Sequence, residues 1–388
     1  MSAAAAPFLA PGATLGVMGG GQLGRMFVHA AQRMGYRTAV LDPDPQSPAG
    51  LVSHGHIRAD YLDPVALMQL AAQCAAVTTE FENVPAAALA TLARSVPVAP
   101  GSGSVAICQD RAAEKAHFTA CGVACAPYAL IDSSTDFERI DAALLPGILK
   151  TARLGYDGKG QANVADRAAL AAAWAELGRA GCVLEQRLPL AVELSVIVAR
   201  GADGAMVQLP VQQNLHRAGI LAVTRVPAPD IPKAVQTAAV DAALRLAASM
   251  QHVGLLCVEF FLLEDGRLVA NEMAPRPHNS GHASLDACDL SQFELQVRCM
   301  TGTTLVAPRL HSPCVMLNLL GDLWGREGSV EPDWDGVLAL PGVHLHLYGK
   351  SEPRPGRKMG HLTVTARDAA SALAVARACA ERLHIEAF

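Results

Sequence analysis

The order of apolar and helical segments at the start of the chain constrains the fold most. A short apolar run, Thr14 to Met18, precedes a glycine cluster, Leu23 to Met34 has helical spacing, and Thr38 to Leu41 is apolar again. An apolar run from Ala75 to Thr79 and a helical segment from about Pro85 to Arg94 continue the alternation. Strands that alternate with helices build parallel sheets with helices on their faces. This region therefore predicts an α/β, Rossmann-like domain.

The rest of the chain has a different character. A strand-like run, Val96 to Ala99, ends the first domain, and one helix is expected from Ser104 to Cys121. Short apolar runs joined by glycine-rich turns then predict an α+β region. Its strands are expected at Gly147 to Thr151, Val183 to Gln186, Leu194 to Ala199, Met206 to Pro210 and Leu221 to Val226, before a helix from about Pro232 to Gln251. We therefore expect an N-terminal domain (1–103), a central domain (104–310) and a small C-terminal domain (311–388).

Composition argues against several classes of protein. The chain has 388 residues, of which 31 are Lys or Arg and 36 are Asp or Glu. This even balance is not typical of nucleic-acid or membrane-surface proteins, so the expected partner is a small molecule. No apolar run approaches the length of a spanning helix, the first residues lack the basic start of a signal peptide, and the ten cysteines form no CxxC pair. We expect a cytoplasmic protein with reduced thiols.

The first glycine cluster matches a nucleotide-binding pattern. Gly19 to Gly24 fits GxGxxG between a strand and a helix, and Asp42 follows the next strand, where a ribose-binding acid would lie. An NAD-dependent oxidoreductase is therefore an alternative function. The same loop could instead hold another anion at the start of the helix. Later features argue against the oxidoreductase, because it would leave a second glycine loop, paired carboxylates and a basic C-terminal cluster without a role.

A second glycine-rich loop follows the strand that Lys150 ends. The loop, Gly155 to Gln161, contains three glycines and a lysine. Backbone N–H groups of such a loop can cover phosphate oxygens, and a lysine at the end of the adjoining strand can reach the same charge. The spacing and the missing terminal Ser or Thr exclude a Walker loop. A flexible hairpin without a ligand is the alternative interpretation.

The segment from residue 258 to residue 272 predicts a β-hairpin. Asp265-Gly266 is a strong signal for a two-residue turn. That turn would pair Glu264 with Arg267 and, five residues further back on each strand, Glu259 with Glu272. Directly opposed side chains share one face of a hairpin, with Cβ atoms roughly 4.5–5.5 Å apart.

The opposed carboxylates of Glu259 and Glu272 call for a cation, because like charges at this distance repel each other. Asn271 adds an amide oxygen beside them, and Mg²⁺ prefers oxygen ligands shared with substrate phosphates. Apolar neighbours such as Val258 and Phe260 favour burial over the alternative, a solvated pair on the surface. The sequence therefore predicts a magnesium site.

These features together resemble the ATP-grasp superfamily and, within it, the family of bacterial ATP-dependent 5-(carboxyamino)imidazole ribonucleotide synthases. Seven segments carry the resemblance; each alone is weak, but in this order they are highly specific and extend over nearly the whole chain. They are GGGQLGRM (19–26), EFENV (80–84), QDR (109–111), GYDGKGQ (155–161), NEMAPRPHNSGH (271–282), SQFELQ (291–296) and PGRKMGH (355–361). The resemblance implies an ATP-grasp fold behind the N-terminal Rossmann-like domain.

The resemblance also implies an ATP site and a metal site. The implied ATP-binding residues are Arg111, Lys150, Gly155, Tyr156, Asp157, Gly158, Lys159, Gly160, Gln161, Glu185, Gln186, Arg187, Leu188, Glu193, His216, Asn271 and Glu272. Glu259 and Glu272 would bind Mg²⁺, with Mn²⁺ as a substitute.

The second substrate implied by the resemblance is 5-aminoimidazole ribonucleotide. Its ribose and ring would contact Gln22, Leu23, Glu80 and Asn83, and its phosphate would contact Lys350, Arg354, Arg357 and Lys358. Bicarbonate would be activated and transferred at a catalytic site formed by Tyr156, Asp157, Arg276, His278 and Lys350. The implied reaction is carboxylation of the ribonucleotide amine with release of ADP and phosphate in purine biosynthesis, and the implied assembly is a homodimer.

Each assignment has an alternative. The basic cluster at 350–358 could be a solvated loop, His278 and His282 could have structural roles, and Gln22 could simply begin the first helix. For His344 and His346, which alternate on a strand, we favour structural roles over metal binding. The alternative functions are an NAD-dependent oxidoreductase, a catalytically silent nucleotide-binding protein, and another ATP-grasp ligase such as a formate-dependent glycinamide ribonucleotide transformylase or a biotin carboxylase.

Overall fold

The computed structural model describes residues 8–155, 159–324 and 331–388. Its strands are β1 (Thr14–Met18), β2 (Arg37–Leu41), β3 (Gly55–Ile57), β4 (Ala76–Thr79), β5 (Tyr128–Ile131), β6 (Gly147–Thr151), β7 (Gln161–Val164), β8 (Cys182–Gln186), β9 (Leu190–Arg200), β10 (Met206–Gln208), β11 (Gln212–Arg217), β12 (Ile220–Val226), β13 (Gly254–Leu263), β14 (Leu268–Ala274), β15 (Cys314–Leu320), β16 (Val343–Leu347) and β17 (Lys358–Thr365). Its α-helices are α1 (Gln22–Arg33), α2 (Pro64–Gln73), α3 (Ala86–Leu92), α4 (Ser102–Cys108), α5 (Arg111–Ala120), α6 (Arg167–Glu176), α7 (Lys233–Ser249), α8 (Ser284–Ala287), α9 (Gln292–Thr301), α10 (Trp334–Leu338) and α11 (Ala369–Arg382).

The N-terminal region forms the predicted parallel sheet. Its four strands lie in the order β3-β2-β1-β4, and every neighbouring pair is parallel. The prediction of a further strand at Val96–Ala99 is wrong, because only a single bridge joins Val98 to Val77. Pro97 has no N–H to donate, which limits ladder formation at this edge.

The single helix predicted from Ser104 to Cys121 is also wrong. The structure has two helices there, α4 and α5, which are separated at Asp110. The backbone of Asp110 is extended, and its carboxylate accepts hydrogen bonds from the N–H groups of Ala112 at 3.0 Å and Ala113 at 3.2 Å. An Asp in this role begins a helix rather than continuing one. The break places Arg111 at the first position of α5.

Two antiparallel sheets build the rest of the molecule. The smaller sheet has the order β5-β8-β6-β7. The larger sheet has nine strands, of which eight follow the order β14-β13-β9-β11-β12-β15-β17-β16 and β10 pairs with β9. Since β12 pairs with β15, the larger sheet continues across the domain boundary expected near residue 310. The observed sheets and helices match the predicted fold class, and the three-domain division stays a prediction.

The packing against the larger sheet positions its strands. Helix α7 presents a row of buried small and branched residues, including Ala239, Ala243 and Leu246, to a core that also contains Val196 and Val258.

Among the described residues, no helix is both long and apolar enough to cross a membrane.

The β13–β14 hairpin brings Glu259 opposite Glu272 as predicted, but the length of its loop and the register of its strands differ from the prediction. The predicted pairing of Glu264 with Arg267 is wrong, since the N–H of Leu263 donates to the carbonyl of Arg267 at 2.9 Å. The loop therefore has three residues, and Gly266 at its end has a positive φ of 83°, as in three-residue hairpin loops that end in a bulge. A second register shift, which leaves Asn271 as the extra residue of β14, restores the expected pairing at the two carboxylates.

Candidate active site

Two cavities meet at the carboxylate pair. The N-terminal cavity has a volume of about 650 Å³ and lies between the start of α1, the loop after β4 and the loop between β16 and β17. The central cavity has a volume of about 610 Å³ and lies between the two antiparallel sheets. Among the described residues, those that line both cavities are Arg111, Lys159, Glu259, Glu272, His278, Asn279 and Lys358.

Buried ion pairs organise the central cavity. Lys150 is the penultimate residue of β6, and its Nζ lies 3.1 Å from Glu185 Oε2, while Lys115 Nζ lies 3.3 Å from the same oxygen. Burial raises the pKa of Glu185, but the charges of Lys150 and Lys115 outweigh it, so the pKa is lowered overall. The side chain of Lys115 is fully buried and also donates to the carbonyl of Asn271 at 3.1 Å.

The sequence interpretation missed Lys115. The signal that could have revealed it is its position four residues after Arg111, because side chains at this spacing share one face of a helix. That face of α5 points its two cations toward the central cavity, where Arg111 and Lys115 contact Glu272 and Glu185 respectively.

His216 and Glu193 form another pair on the wall of the central cavity. They lie on adjacent strands, and His216 Nδ1 contacts Glu193 Oε2. Burial lowers the pKa of His216, but the hydrogen bond to Glu193 and the nearby charge of Glu259 raise it more. The pair presents a fixed imidazole to the cavity.

The carboxylate pair has the properties of a cation site. Burial and the charge of Glu272 raise the pKa of Glu259 to about 7. For Glu272, burial raises the pKa, but Arg111, whose Nη1 lies 3.0 Å from Glu272 Oε2, is the largest of several cationic contributions that lower it overall. Between them in sequence, Asn271 Oδ1 is buried and has no hydrogen-bond partner among the described residues. Two repelling carboxylates and an unpartnered amide oxygen fit a hard divalent cation such as Mg²⁺.

Arg276 and His278, which follow Glu272 in the chain, line the N-terminal cavity. Arg276 Nε donates to Glu82, and its Nη1 donates to the carbonyl of Pro277 at 2.9 Å. His278 Nε2 lies 3.2 Å from Glu259 Oε1, and burial followed by the charge of Arg276 keeps the pKa of His278 well below its usual value. The sequence interpretation missed Glu82, although it lies in the EFENV segment.

The far end of the N-terminal cavity is basic. Its lining includes Lys350, Arg354, Arg357 and Lys358, which lie on or beside the loop between β16 and β17. The loop has a defined shape: the N–H of Gly356 donates to Asp322 Oδ2 at 2.7 Å, and Lys350 Nζ donates to the carbonyl of Lys358 at 2.7 Å. Guanidinium and ammonium groups gathered in this way suit a phosphate group.

The first glycine loop is already satisfied by the chain's own carboxylates. The N–H of Gly20 donates to Asp42 Oδ2 at 2.7 Å, and the N–H groups of Gly21 and Gly24 donate to Glu80 at 2.9 Å and 3.1 Å. Asp42, the expected ribose ligand of a dinucleotide, also accepts from the hydroxyl of Tyr61. These donors are therefore not available to a pyrophosphate, which argues against the oxidoreductase alternative.

The structure groups most of the expected site residues as the two sets implied. The central cavity is lined by the expected ATP ligands Arg111, Lys150, Lys159, Gln161, Glu185, Gln186, Arg187, Leu188, Glu193, His216, Asn271 and Glu272. The N-terminal cavity is lined by Gln22, Leu23, Glu80, Asn83, Arg276, His278, Lys350, Arg354, Arg357 and Lys358. Gly155, expected among the ATP ligands, lines this cavity and not the central one. Gly160 lines neither cavity, and its carbonyl accepts from Thr151. Tyr156, Asp157 and Gly158 lie outside the described residues.

His346 belongs to a separate cluster. Ligand atoms of His346, His361 and Asp286 lie within 4.8 Å of one another, and His346 Nε2 is 2.8 Å from Asp286 Oδ2. The rings of His346 and His361 stack in parallel, with an angle of 9° between planes and 4.5 Å between centroids. Imidazole lone pairs lie in the ring plane, so stacked rings direct them side by side rather than toward one ion. This geometry supports structural roles.

Comparison with known proteins matches three family domains along the chain. Residues 12–109 match the ribonucleotide synthetase preATP-grasp domain, residues 116–293 the ATP-grasp domain, and residues 314–375 the phosphoribosylaminoimidazole carboxylase C-terminal domain. The N5-carboxyaminoimidazole ribonucleotide synthase of Brucella melitensis is 44% identical over 363 residues, which cover 92% of this chain and 97% of that protein. The corresponding protein of Bacillus subtilis is 42% identical over 354 residues, with 91% of each chain covered.

Solved structures similar to this chain come from the same family of enzymes. The Staphylococcus aureus N5-carboxyaminoimidazole synthetase complexed with ADP has a TM-score of 0.90 and 38% identity, covering 97% of this chain and 99% of that one. The Aspergillus clavatus enzyme in complex with ADP and 5-aminoimidazole ribonucleotide has a TM-score of 0.87 and 30% identity, covering 96% and 99%. The chain belongs to the ATP-grasp superfamily and, within it, to the N5-carboxyaminoimidazole ribonucleotide synthase family.

Proposed function

We propose that this chain carboxylates 5-aminoimidazole ribonucleotide to N5-carboxyaminoimidazole ribonucleotide, using ATP and bicarbonate and releasing ADP and phosphate. The observation that carries the proposal is the junction of two cavities at Glu259 and Glu272. One cavity offers buried cations for a triphosphate, and the other offers a basic end for a ribonucleotide phosphate. A ligase that couples the two substrates needs such a junction, because the activated group must pass from one to the other without meeting water.

Glu259, Glu272 and Asn271 are the proposed ligands of Mg²⁺. When bound, the ion would neutralise charge on the phosphate oxygens of ATP, as divalent ions do in phosphoryl transfer. Lys150, Lys159 and the remaining expected ATP ligands would hold the nucleotide beside this pair.

The first proposed step activates bicarbonate. A bicarbonate oxygen attacks the γ-phosphorus of ATP, so that an O–P bond forms and the bond to ADP breaks, giving carboxyphosphate. Lys150 and Lys159 offset the negative charge that develops on the transferred group. Arg276 and His278 orient the bicarbonate; the pairing of Arg276 with Glu82 and of His278 with Glu259 restricts their side chains before the substrate arrives.

The second proposed step transfers the carboxyl group. The exocyclic amine of the ribonucleotide attacks the carboxyl carbon of carboxyphosphate, or the CO₂ that it releases, and phosphate leaves. Asp157 accepts the proton that the amine loses, and Tyr156 positions it. Gln22, Leu23, Glu80 and Asn83 would contact the ring and ribose, while Lys350, Arg354, Arg357 and Lys358 would hold the phosphate and so fix the distance of the amine from the junction. The proposed assembly is a homodimer.

An isotope experiment tests the proposal. With ¹⁸O-labelled bicarbonate, ATP and 5-aminoimidazole ribonucleotide, we expect one ¹⁸O atom in each phosphate released, detected by the isotope shift in ³¹P NMR. Unlabelled bicarbonate in ¹⁸O-water is the control and should give unlabelled phosphate. Label that enters from water instead would show direct hydrolysis of ATP and contradict the proposed coupling.

A further inference from the structure

Asn279 is a buried side chain at the junction of the two cavities that no step above uses. It is 7% exposed and begins the short 3-10 turn Asn279–Gly281, directly after His278. Neither its Oδ1 nor its Nδ2 has a hydrogen-bond partner within residues 8–155, 159–324 and 331–388. Most buried polar side-chain atoms in folded proteins have a partner, so an amide without one needs an explanation.

The residues on both sides of Asn279 are held firmly, His278 through its backbone and Ser280 through its side chain. Gln292, which is fully buried, accepts from the N–H of His278 at 2.8 Å and donates to the carbonyl of His278 at 2.8 Å. On the other side, Ser280 Oγ lies 2.7 Å from Ser195 Oγ, and both serines are fully buried. The two anchors fix the position of the turn, while the Asn279 amide between them makes no bond to the described residues. This arrangement is typical of a group positioned in advance for a ligand.

The location of the amide narrows the choice of ligand. Within the described chain, Asn279 is the one carboxamide among the seven residues that line both cavities; the others are acids, cations and His278. Bicarbonate carries both anionic oxygens and a hydroxyl donor, and a carboxamide offers one N–H donor group and one acceptor oxygen. An uncharged partner can bind this anion close to Glu259 and Glu272 without adding to their repulsion.

We infer that Asn279 binds bicarbonate at the junction, with Nδ2 donating to a bicarbonate oxygen and Oδ1 accepting from its hydroxyl group. This inference rests on the proposed function and adds to it a substrate-binding residue between the sites of ATP and of the ribonucleotide. It also gives bicarbonate one orientation, in which its anionic oxygens and its hydroxyl group contact different atoms of the same amide.

The test measures ADP release at saturating ATP and ribonucleotide while bicarbonate is varied in buffer freed of CO₂. For Asn279→Ala we expect the KM for bicarbonate to rise by about tenfold to a hundredfold, the size of a lost hydrogen bond to a charged group. The KM for ATP should stay within about twofold, since the expected ATP ligands are unchanged. Asn279→Asp should raise the bicarbonate KM further, because a third negative charge beside the two carboxylates repels the bicarbonate anion.

Asn318→Ala is the matched control. Asn318 is 4% exposed, lines neither cavity and donates to the carbonyl of Leu221 at 2.9 Å. It should lower the melting temperature without changing the bicarbonate KM, whereas Asn279→Ala should leave the melting temperature unchanged or higher, because its amide has no described partner to lose. Calorimetric titration with ADP verifies that each variant keeps its central cavity. If Asn279→Ala does not fold, Asn279→Ser takes its place in the same test, with the same expected rise in the KM for bicarbonate.

The outcomes separate the two proposals. An unchanged bicarbonate KM in a folded Asn279→Ala protein, or a change confined to the KM for ATP or the Mg²⁺ requirement, overturns the role of Asn279 and leaves the proposed function intact. ADP release by the unmodified protein that does not depend on bicarbonate overturns the proposed function, and the role of Asn279 with it.

Discussion

The two cavities differ in how they hold their cations. In the central cavity, Lys115 and Lys150 share the buried carboxylate of Glu185, and their side chains are 0% and 11% exposed. At the basic end of the N-terminal cavity, the Arg354 side chain is 68% exposed and pairs with Glu352, which is equally exposed. The first arrangement is fixed before a ligand binds, whereas the second relies on charges that water and salt can screen. On the proposed function, the central cavity would orient a reacting phosphate, and the N-terminal cavity would capture a phosphate that takes no part in the chemistry.

The largest effect is expected where the cavities meet. Glu272→Gln removes a carboxylate from the proposed metal site, and several kcal/mol of charge stabilisation correspond to a loss of about 10²- to 10³-fold in ADP release. Steady-state assays at saturating Mg²⁺-ATP measure it. Glu264→Gln, at the exposed tip of the same hairpin, is the control and should retain full activity. A fully active Glu272→Gln protein would contradict the metal assignment.

Lys115→Met tests whether the central cavity depends on its buried pairs. Loss of one of two cations leaves Glu185 partly uncompensated, so the free energy of unfolding should fall by about 3 kcal/mol, and the KM for ATP should rise. Thermal and denaturant unfolding measure the first effect. Lys233→Met, at the exposed start of α7, should change neither quantity. Equal stability of the two variants would show that the buried pairs are not what organises this cavity.

Arg357→Ala probes the N-terminal cavity alone. We expect the KM for the ribonucleotide to rise by roughly tenfold to a hundredfold through loss of a charged hydrogen bond, while the KM for ATP stays constant. Arg367→Ala, whose side chain is 90% exposed, is the control. If the KM for ATP rose instead, the division of substrates between the cavities would be wrong.

The smallest expected effect is a difference between the two substrates in how strongly salt changes their KM. Raising the ionic strength from about 0.05 M to about 0.2 M shortens the range of exposed charges, so the ribonucleotide KM should increase by roughly twofold to fivefold. The KM for ATP should increase less, since Lys115 and Lys150 are buried. A KCl titration with both substrates varied measures the two responses, and a stronger response of ATP would reverse the comparison.

Local patterns in the sequence predicted much of this structure. Apolar runs predicted β1 and β6 at their observed bounds, and hairpin geometry predicted that Glu259 faces Glu272. Two errors in the hairpin cancelled, because the bulge at Asn271 restores the register that the three-residue loop shifts, and turn residues do not encode a bulge further along the strand. The break at Asp110 was missed because apolar spacing continues on both sides of it.

Long-range contacts account for what the sequence could not give. Glu80 and Asp42 satisfy the first glycine loop only because β1, β2 and β4 are neighbours. Lys115 on α5 contacts Glu185 on β8, and Glu82 contacts Arg276, which lies 194 residues further along the chain. The GxGxxG pattern alone therefore allowed an oxidoreductase, and the identity of the groups around it decides against one.

ADP release by the purified protein with Mg²⁺-ATP and bicarbonate, measured with and without 5-aminoimidazole ribonucleotide, tests the substrate assignment most directly. Glycinamide ribonucleotide with formate is the control for another ATP-grasp ligase. We expect strong stimulation by the imidazole ribonucleotide alone. Stimulation by the control pair, or by neither, would contradict the assignment of the N-terminal cavity to 5-aminoimidazole ribonucleotide.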